Sequence, residues 1–151
     1  MIERQKRYVF PGQVMVARTP TAITTILGSC VSVCLWDAHL GIGGMNHYLL
    51  PLLAGSAAKS PRFGNVAMEE LLTQMRDAGS TLRFLRARVF GGSCMFSAMQ
   101  SARHLGTQNV ELALDFLGRR GVEIVQVDVG GNRGRKLLFH TDEGTAWLTT
   151  I

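Results

Sequence analysis

Short apolar runs separated by turn residues fill the first third of the chain. Segment 21–27 is rich in β-branched residues, and segment 31–36 is a near-continuous apolar run of the kind that forms a buried strand. Turn residues occupy Pro11-Gly12 and the segment 37–41. We therefore predict strands at residues 8–10, 14–17, 21–27, 31–36 and 43–50.

Two longer segments have apolar residues at the spacing of an amphipathic helix. In the first, Asn65 is the candidate N-cap, and Gly79 follows the last helical residue, Ala78. The second covers about 108–120 and ends before Gly121. The apolar stripes are Met68, Leu71, Leu72 and Met75 in the first helix and Val110, Ala113, Leu114 and Leu117 in the second. Further strands are predicted at 86–90, 122–129, 135–140 and 145–150.

The order of these elements indicates the fold class. A doubly wound sheet would alternate strand and helix regularly, whereas this chain has several strands before the first helix and several after the second. The order predicts an α/β (α+β) fold, a layered sandwich of mixed or antiparallel β-sheet with two main helices packed on it. With 151 residues and no linker or repeat, residues 1–151 are expected to form a single domain.

Composition narrows the class of protein further. A chain with 46% hydrophobic and 18% charged residues is not disordered. No run approaches the roughly 18 apolar residues of a membrane span, and no apolar signal segment follows the charged N-terminus. Three cysteines without paired spacing argue against a disulfide framework. We therefore expect a cytoplasmic protein that is not embedded in a membrane.

The formal net charge is +5, from 16 basic and 11 acidic residues. Excess positive charge favours acidic partners. The basic residues are scattered, however, and aromatic residues are not interleaved with them as they are on nucleic-acid-binding surfaces. We expect an acidic protein surface, and no nucleic acid, as the partner of this charge.

The segment Gly28-Ser29-Cys30 is the first candidate for chemistry. It interrupts the chain between two predicted strands, where a thiol can face a cleft while its flanks are buried. Glycine lets backbone N–H groups turn toward one point, so Gly28 and Ser29 are candidate oxyanion-binding residues and Cys30 a candidate nucleophile. A buried structural cysteine is the alternative, because free cysteine is among the most buried residue types.

His47 and Thr24 are the candidate partners of Cys30. Antiparallel pairing across the turn at 37–41 would bring His47 beside Cys30 as a base. Thr24 lies six residues before Cys30, and its hydroxyl could accept a hydrogen bond from the second ring nitrogen of the histidine. A core histidine and an ordinary strand threonine are the alternatives.

Other cysteine and histidine residues are weaker candidates. Cys94 follows a Gly-Gly-Ser loop and is the second candidate nucleophile, whereas Cys34 lies in an apolar run and is expected in the core. A metal site needs closely spaced ligand pairs, which are lacking among Cys30, Cys34, His39 and His47. Because no complete nucleotide-binding motif is present either, we expect no cofactor and no metal.

Several motifs occur in a characteristic order along nearly the whole chain. They lie at 27–37, beginning Leu27-Gly28-Ser29-Cys30, at 43–47 with Leu50-Pro51, at 90–92 with 95–96, at 109–111 and at 128–136. In this order they resemble the chemoreceptor glutamine deamidase family, CheD. The first motif is also similar to that of bacterial toxins that deamidate host glutamines.

The resemblance implies a layered α/β fold and the hydrolysis of selected glutamines to glutamate on the cytoplasmic helices of methyl-accepting chemotaxis receptors. It implies Cys30 as nucleophile, His47 as base and Thr24 as the third member. The partners that it implies are these receptors and a CheC-type phosphatase. Three neighbouring motif residues are expected to line the site: Gly91, Gly92 and Asn46.

Two alternatives to this function stay open at the level of sequence. The domain could be a non-catalytic binding module that regulates a CheC-type chemotaxis phosphatase. It could also be a cysteine hydrolase that acts on a different amide or ester.

Overall fold

The computed structural model describes residues 2–52, 59–94 and 104–151. The strands in these ranges are β1 (Gln5–Tyr8), β2 (Val14–Ala17), β3 (Thr21–Leu27), β4 (Val31–Asp37), β5 (Ile42–Asn46), β6 (Arg86–Gly91), β7 (Glu123–Val129), β8 (Arg135–His140) and β9 (Ala146–Thr150). The helices are α1 (Gly64–Asp77) and α2 (Leu105–Arg119), with a short 3-10 helix at Leu82–Phe84.

The strands form two sheets. The first has the strand order β1-β3-β8-β9 and the second the order β2-β5-β4-β6-β7. Neighbouring strands are antiparallel except β1 with β3 and β6 with β7, which are parallel, so both sheets are mixed. The predicted fold class, mixed sheets with two helices packed on them, is confirmed.

The second sheet is the middle layer of the molecule. Val31 and Val33 on one face of β4 pack against α1 and α2. Cys34 and Trp36 on the opposite face pack against the first sheet. β4 is buried along its entire length, as expected of a continuous apolar run. The layer order is therefore first sheet, second sheet, helices.

Both helices pack their predicted apolar stripes against the core, although Leu114 of α2 is only partly buried. The stripe of α1 is fully buried, but Phe63 rather than Asn65 occupies the N-cap position, so that prediction was wrong. α2 begins one turn earlier than predicted because the ring of His104 accepts a hydrogen bond from the Thr107 N–H. On its buried face α2 also carries a polar residue, Asn109.

Most predicted strands agree with the observed ones to within a residue, and two do not. β1 precedes the predicted segment 8–10, because residues 5–8 are the ones that pair with β3. β5 stops at Asn46 instead of continuing to Leu50, since the Asn46 side chain accepts the Val33 N–H at 2.8 Å in place of a backbone carbonyl. Residues 54–61 are mostly small and polar, which predicts a loop, and they fall largely outside the described residues.

Neither helix in the described part of the chain is both long enough and apolar enough to cross a membrane.

Candidate active site

Cys30 lies where the chain crosses from one sheet to the other. β3 belongs to the first sheet and ends at Leu27, and β4 belongs to the second sheet and begins at Val31. The segment Gly28-Ser29-Cys30 therefore spans the gap between the layers. Cys30 is partly exposed, unlike Cys34, which is fully buried. A crossover between layers thus places this thiol at the edge of the core.

Hydrogen bonds hold all three carbonyl groups of this crossover. The Gly28 oxygen accepts from Ser93 N at 3.0 Å, and the Cys30 oxygen accepts from Gly92 N at 2.9 Å. The Ser29 oxygen accepts from the Asn109 side chain at 3.1 Å. In a trans peptide the N–H of the next residue points away from the carbonyl, so these bonds fix the directions of the Ser29 and Cys30 N–H groups. Within the described residues, no protein acceptor receives the N–H of Ser29 or Cys30.

The Cys30 N–H lies close to the sulfur of the same residue, where it favours the thiolate. This is the placement that an oxyanion-binding N–H requires, because the oxygen of an attacked carbonyl develops charge next to the nucleophile. The roles of Gly28 as the flexible residue and of Ser29 as a second N–H donor stay predictions.

His47 lies on the same face of the second sheet as Cys30. Val31, directly after Cys30, forms an antiparallel bridge with Tyr48, directly after His47. Cys30 and His47 are therefore diagonal neighbours, whose Cα atoms are about 7–8 Å apart in such pairs. In the described part of the chain the ring is hydrogen-bonded to Thr25 and not to Cys30. Catalytic contacts often tighten only when substrate binds, so this separation fits a Cys–His pair in an unliganded state.

Thr25 fixes the orientation of the His47 ring. The Thr25 hydroxyl donates its only proton to the Val9 carbonyl at 2.7 Å. The same oxygen lies 2.7 Å from His47 Nδ1, so it must accept the proton of that nitrogen. The ring therefore carries its proton on Nδ1, and Nε2 keeps a free lone pair. This is the tautomer that a general base needs.

Thr24, the predicted third residue, lies on the opposite face of β3. Side chains alternate along a strand, and in β3 the odd-numbered positions are buried. Thr24 pairs with Tyr8 and Leu138 within the first sheet, and the contact with His47 belongs to Thr25. The sequence did not show which of the two adjacent threonines faces the ring, because Ile26 and Leu27 are both apolar and hide the alternation of β3.

Burial keeps both reactive groups neutral. His47 is 2% exposed, and desolvation lowers its pKa from 6.5 to about 4. Desolvation also raises the pKa of the Cys30 thiol, an effect that its own backbone N–H partly opposes. At neutral pH the resting pair is therefore a thiol and a neutral imidazole, which suits proton transfer during attack.

The residues predicted to line the site are placed differently from one another. Gly91 and Gly92 contact the Cys30 backbone, and a Cβ on Gly91 would come within 2.2 Å of the Cys30 oxygen. Asn46 instead points to the helical layer, where its amide nitrogen donates to the Met68 sulfur at 3.2 Å. The expectation that Asn46 lines the site was wrong, because it has the opposite strand parity to His47.

Asn109 is a residue of the site that was not predicted from the sequence. Its amide nitrogen donates to the Ser29 oxygen at 3.1 Å and to the Leu49 oxygen at 3.0 Å. Asn109 is fully buried, and its backbone oxygen accepts a hydrogen bond from the Tyr48 hydroxyl at 2.5 Å. Asn109 thus ties the segment before the thiol to the segment after the imidazole. The sequence feature that could have identified Asn109 is its position as a polar residue beside the apolar stripe of α2.

The weaker candidates have other surroundings. Cys94 is partly exposed, and its N–H donates to the Gly131 oxygen at 2.9 Å. Burial raises the pKa of the Cys34 thiol in the core. His39 stacks on Phe84 at a ring distance of 5.8 Å. In the described ranges no cluster of three or more His, Cys, Asp or Glu side chains could hold a metal ion.

Fold and site together define the class of this protein, an α/β sandwich with a candidate cysteine–histidine site at a crossover between its two sheets. The chain belongs to the CheD family, described as CheD chemotactic sensory transduction, whose pattern matches residues 49–150.

Similar proteins extend the match over nearly the whole chain. A protein of Anaeromyxobacter dehalogenans (strain 2CP-C), named probable chemoreceptor glutamine deamidase CheD 1, is 48% identical over 98% of this chain and 86% of its own length. A protein of Trichlorobacter lovleyi, named probable chemoreceptor glutamine deamidase CheD, is 42% identical over 95% of this chain and 89% of its own length. A protein of the same name in Sulfurimonas denitrificans is 40% identical over 99% of this chain and 97% of its own length.

The depressed pKa of His47 predicts a pH dependence of stability. The unfolded chain binds more protons than the native state between the unfolded pKa of 6.5 and the folded pKa of about 4. The free energy of unfolding therefore falls as the pH drops through this window, by up to about 3 kcal/mol from this residue. Denaturant unfolding at pH 7 and pH 4 should show a smaller acid-induced loss for His47→Gln than for the wild type. Equal losses in the two proteins would mean that the ring is not buried in its neutral form.

Proposed function

We propose that this chain is a glutamine deamidase that converts glutamine side chains of chemoreceptors to glutamate and releases ammonia. Its membership of the CheD family and the names of its relatives support the reaction and the substrate class. The observation that carries the chemical assignment is the hydrogen bond between Thr25 and His47 Nδ1, which leaves Nε2 free to act as a base.

Nucleophilic attack is the first step of the proposed mechanism. As the Cys30 sulfur bonds to the side-chain carbonyl carbon of glutamine, His47 Nε2 accepts the thiol proton. The carbonyl oxygen becomes an oxyanion and accepts hydrogen bonds from the N–H groups of Cys30 and Ser29. Each such donor contributes about 3 kcal/mol to stabilising the transition state.

Collapse of this intermediate releases ammonia. The imidazolium of His47 gives its proton to the amide nitrogen as the carbon–nitrogen bond breaks, which leaves a thioester on Cys30. His47 Nε2 then takes a proton from water, the resulting hydroxide attacks the thioester, and the proton returns to the sulfur. The net reaction consumes one water and yields glutamate and ammonia, so the chain's own residues suffice.

Thr25, and not Thr24, is the orienting residue in this mechanism. The Thr25 hydroxyl stabilises the Nδ1–H tautomer and the imidazolium that forms during attack, because its oxygen remains an acceptor for the ring proton. The protein would act in the cytoplasm, where thiols stay reduced, and all three of its cysteines are free. A CheC-type phosphatase is a further proposed partner, on the basis of family resemblance.

Replacing the nucleophile tests the proposed function. The cytoplasmic part of a chemoreceptor, incubated with the wild-type protein, should release ammonia, and peptide mass spectrometry should show glutamate in place of specific glutamines. Cys30→Ala should lower the rate by at least about a thousandfold, because the proposed thioester forms on the Cys30 sulfur. Cys94→Ala is the matched control and should stay close to wild type.

Release of ammonia by Cys30→Ala at the wild-type rate would refute the assignment of the nucleophile. A receptor whose mass stays unchanged with the wild-type protein would instead favour the non-catalytic binding module. Ammonia release from another amide only would favour the hydrolase with a different substrate.

Two adjacent threonines offer a sharper test of the mechanism. Thr25→Val removes the hydroxyl that orients His47 but keeps the shape of the side chain, so kcat should fall about 10- to 100-fold with little change in KM. Thr24→Val makes the same chemical change on the opposite face of β3 and should leave kcat unchanged. A fall in kcat for Thr24→Val but not for Thr25→Val would show that the inward and outward positions of β3 are assigned the wrong way round.

A further inference from the structure

Three large apolar side chains are exposed on the first sheet, near the end of β3 that leads to Cys30. Phe10 is 56% exposed, Ile26 47% and Tyr8 37%. Tyr8 and Phe10 stack with ring centroids 4.6 Å apart. Tyr8 pairs with Thr24, two residues before Ile26, so the three side chains share the outer face of the sheet. Together with Arg62 and Lys136, these residues are called the rim patch below.

The turn that carries Phe10 is bonded to the candidate base. The Gly12 N–H donates to the His47 oxygen at 2.7 Å, and the His47 N–H donates to the Gln13 oxygen at 3.2 Å. The Phe10 oxygen accepts from Gln13 N at 3.0 Å, which closes the turn. Ile26 lies on β3, four residues before Cys30 in the sequence. The turn that carries Phe10 therefore lies directly beside His47, and Ile26 lies on the strand that leads to Cys30.

Two cations flank these apolar side chains. Lys136 is exposed and pairs directly with Ile26 across β3 and β8. Arg62 covers the turn, since a Cβ on Gly12 would come within 3.0 Å of Arg62 Cγ. Neither cation is in salt-bridge contact with a carboxylate of the described residues. Their charge is therefore available to a partner.

The depth of the site adds a second constraint. His47 is 2% exposed, so only the end of a side chain can reach the reacting groups. A glutamine alone offers few contacts there, and most of the energy that selects a particular glutamine in a protein must come from outside the cleft.

We infer that the rim patch is the docking surface for the polypeptide around the target glutamine. The complementary surface carries apolar side chains that pack on Tyr8, Phe10 and Ile26, and acidic side chains that face Arg62 and Lys136. Tyr, Phe and Arg are among the residue types enriched in protein interfaces. The inference rests on the proposed function, since it names the surface that presents the substrate to that site.

The test compares a protein substrate with a small one. The double variant Tyr8→Ala/Phe10→Ala should raise the KM for the cytoplasmic part of a chemoreceptor about tenfold and leave its kcat near wild type. The rate with a short blocked glutamine peptide should not change, because that peptide does not reach the patch. Phe84→Ala is the matched control. Phe84 is a similarly exposed aromatic residue, 45%, at the far end of β6 from Gly91, and its replacement should change neither substrate's kinetics.

A second variant tests the charges. Arg62→Gln/Lys136→Gln should flatten the dependence of the receptor KM on ionic strength, since exposed charges act through a screened potential. Thermal unfolding of each variant checks that it is folded.

The outcomes separate the docking surface from the proposed function. An unchanged receptor KM in both double variants, with an active wild type, would overturn the docking surface alone. Loss of activity on the short peptide as well would also overturn it, because the residues would then shape the reacting centre. A wild type inactive on both substrates would overturn the proposed function itself.

Discussion

The short contact between the Thr25 hydroxyl and the His47 ring connects the fold to the chemistry. The hydroxyl has a single proton, and the Val9 carbonyl takes it, so the ring must present its own proton to Thr25. Val9 and Thr25 belong to the first sheet and its edge, whereas His47 follows a strand of the second. The stacking of two sheets therefore determines the tautomer of one imidazole, and with it which nitrogen can accept the thiol proton.

The crossover between the sheets supplies the other half of the site. Its carbonyls are bonded to Gly92, Ser93 and Asn109, whereas the N–H groups of Ser29 and Cys30 have no acceptor among the described residues. Arg135 extends this support, since its guanidinium donates to the Ser93 hydroxyl at 2.7 Å and to the Gly91 oxygen at 3.3 Å. Donors held in this way need no reorganisation as charge develops, which is the property that makes an oxyanion site effective.

The sequence was most informative where a pattern is local. The apolar run of β4, the stripe of α1 and the glycine before Cys30 could all be read directly, and the mixed sandwich followed from the order of elements. The order of strands within each sheet could not, because it depends on pairings between distant segments such as β3 with β8. The choice between Thr24 and Thr25 as the neighbour of His47 could not be made from the sequence for the same reason. In a strand with adjacent threonines and adjacent apolar residues, only the partner sheet decides which threonine faces inward.

Two other residues of the site illustrate the limits of local patterns. Asn46 lies in a motif beside His47, yet strand alternation turns it toward the helices, where it replaces a missing backbone acceptor. Asn109 lies inside a helix, and its importance became visible only when three segments met around it. A polar residue on a buried helix face is a signal of such a role, because a buried amide requires partners.

Nitrogen NMR of the His47 ring tests the central claim most directly. With the ring labelled at both nitrogens, spectra at pH 7 should show a protonated Nδ1 and an unprotonated Nε2, and this state should persist until the pH approaches the ring's pKa of about 4. A proton on Nε2, or a ring charged at neutral pH, would contradict the account, because the nitrogen proposed to accept the Cys30 proton would already carry one.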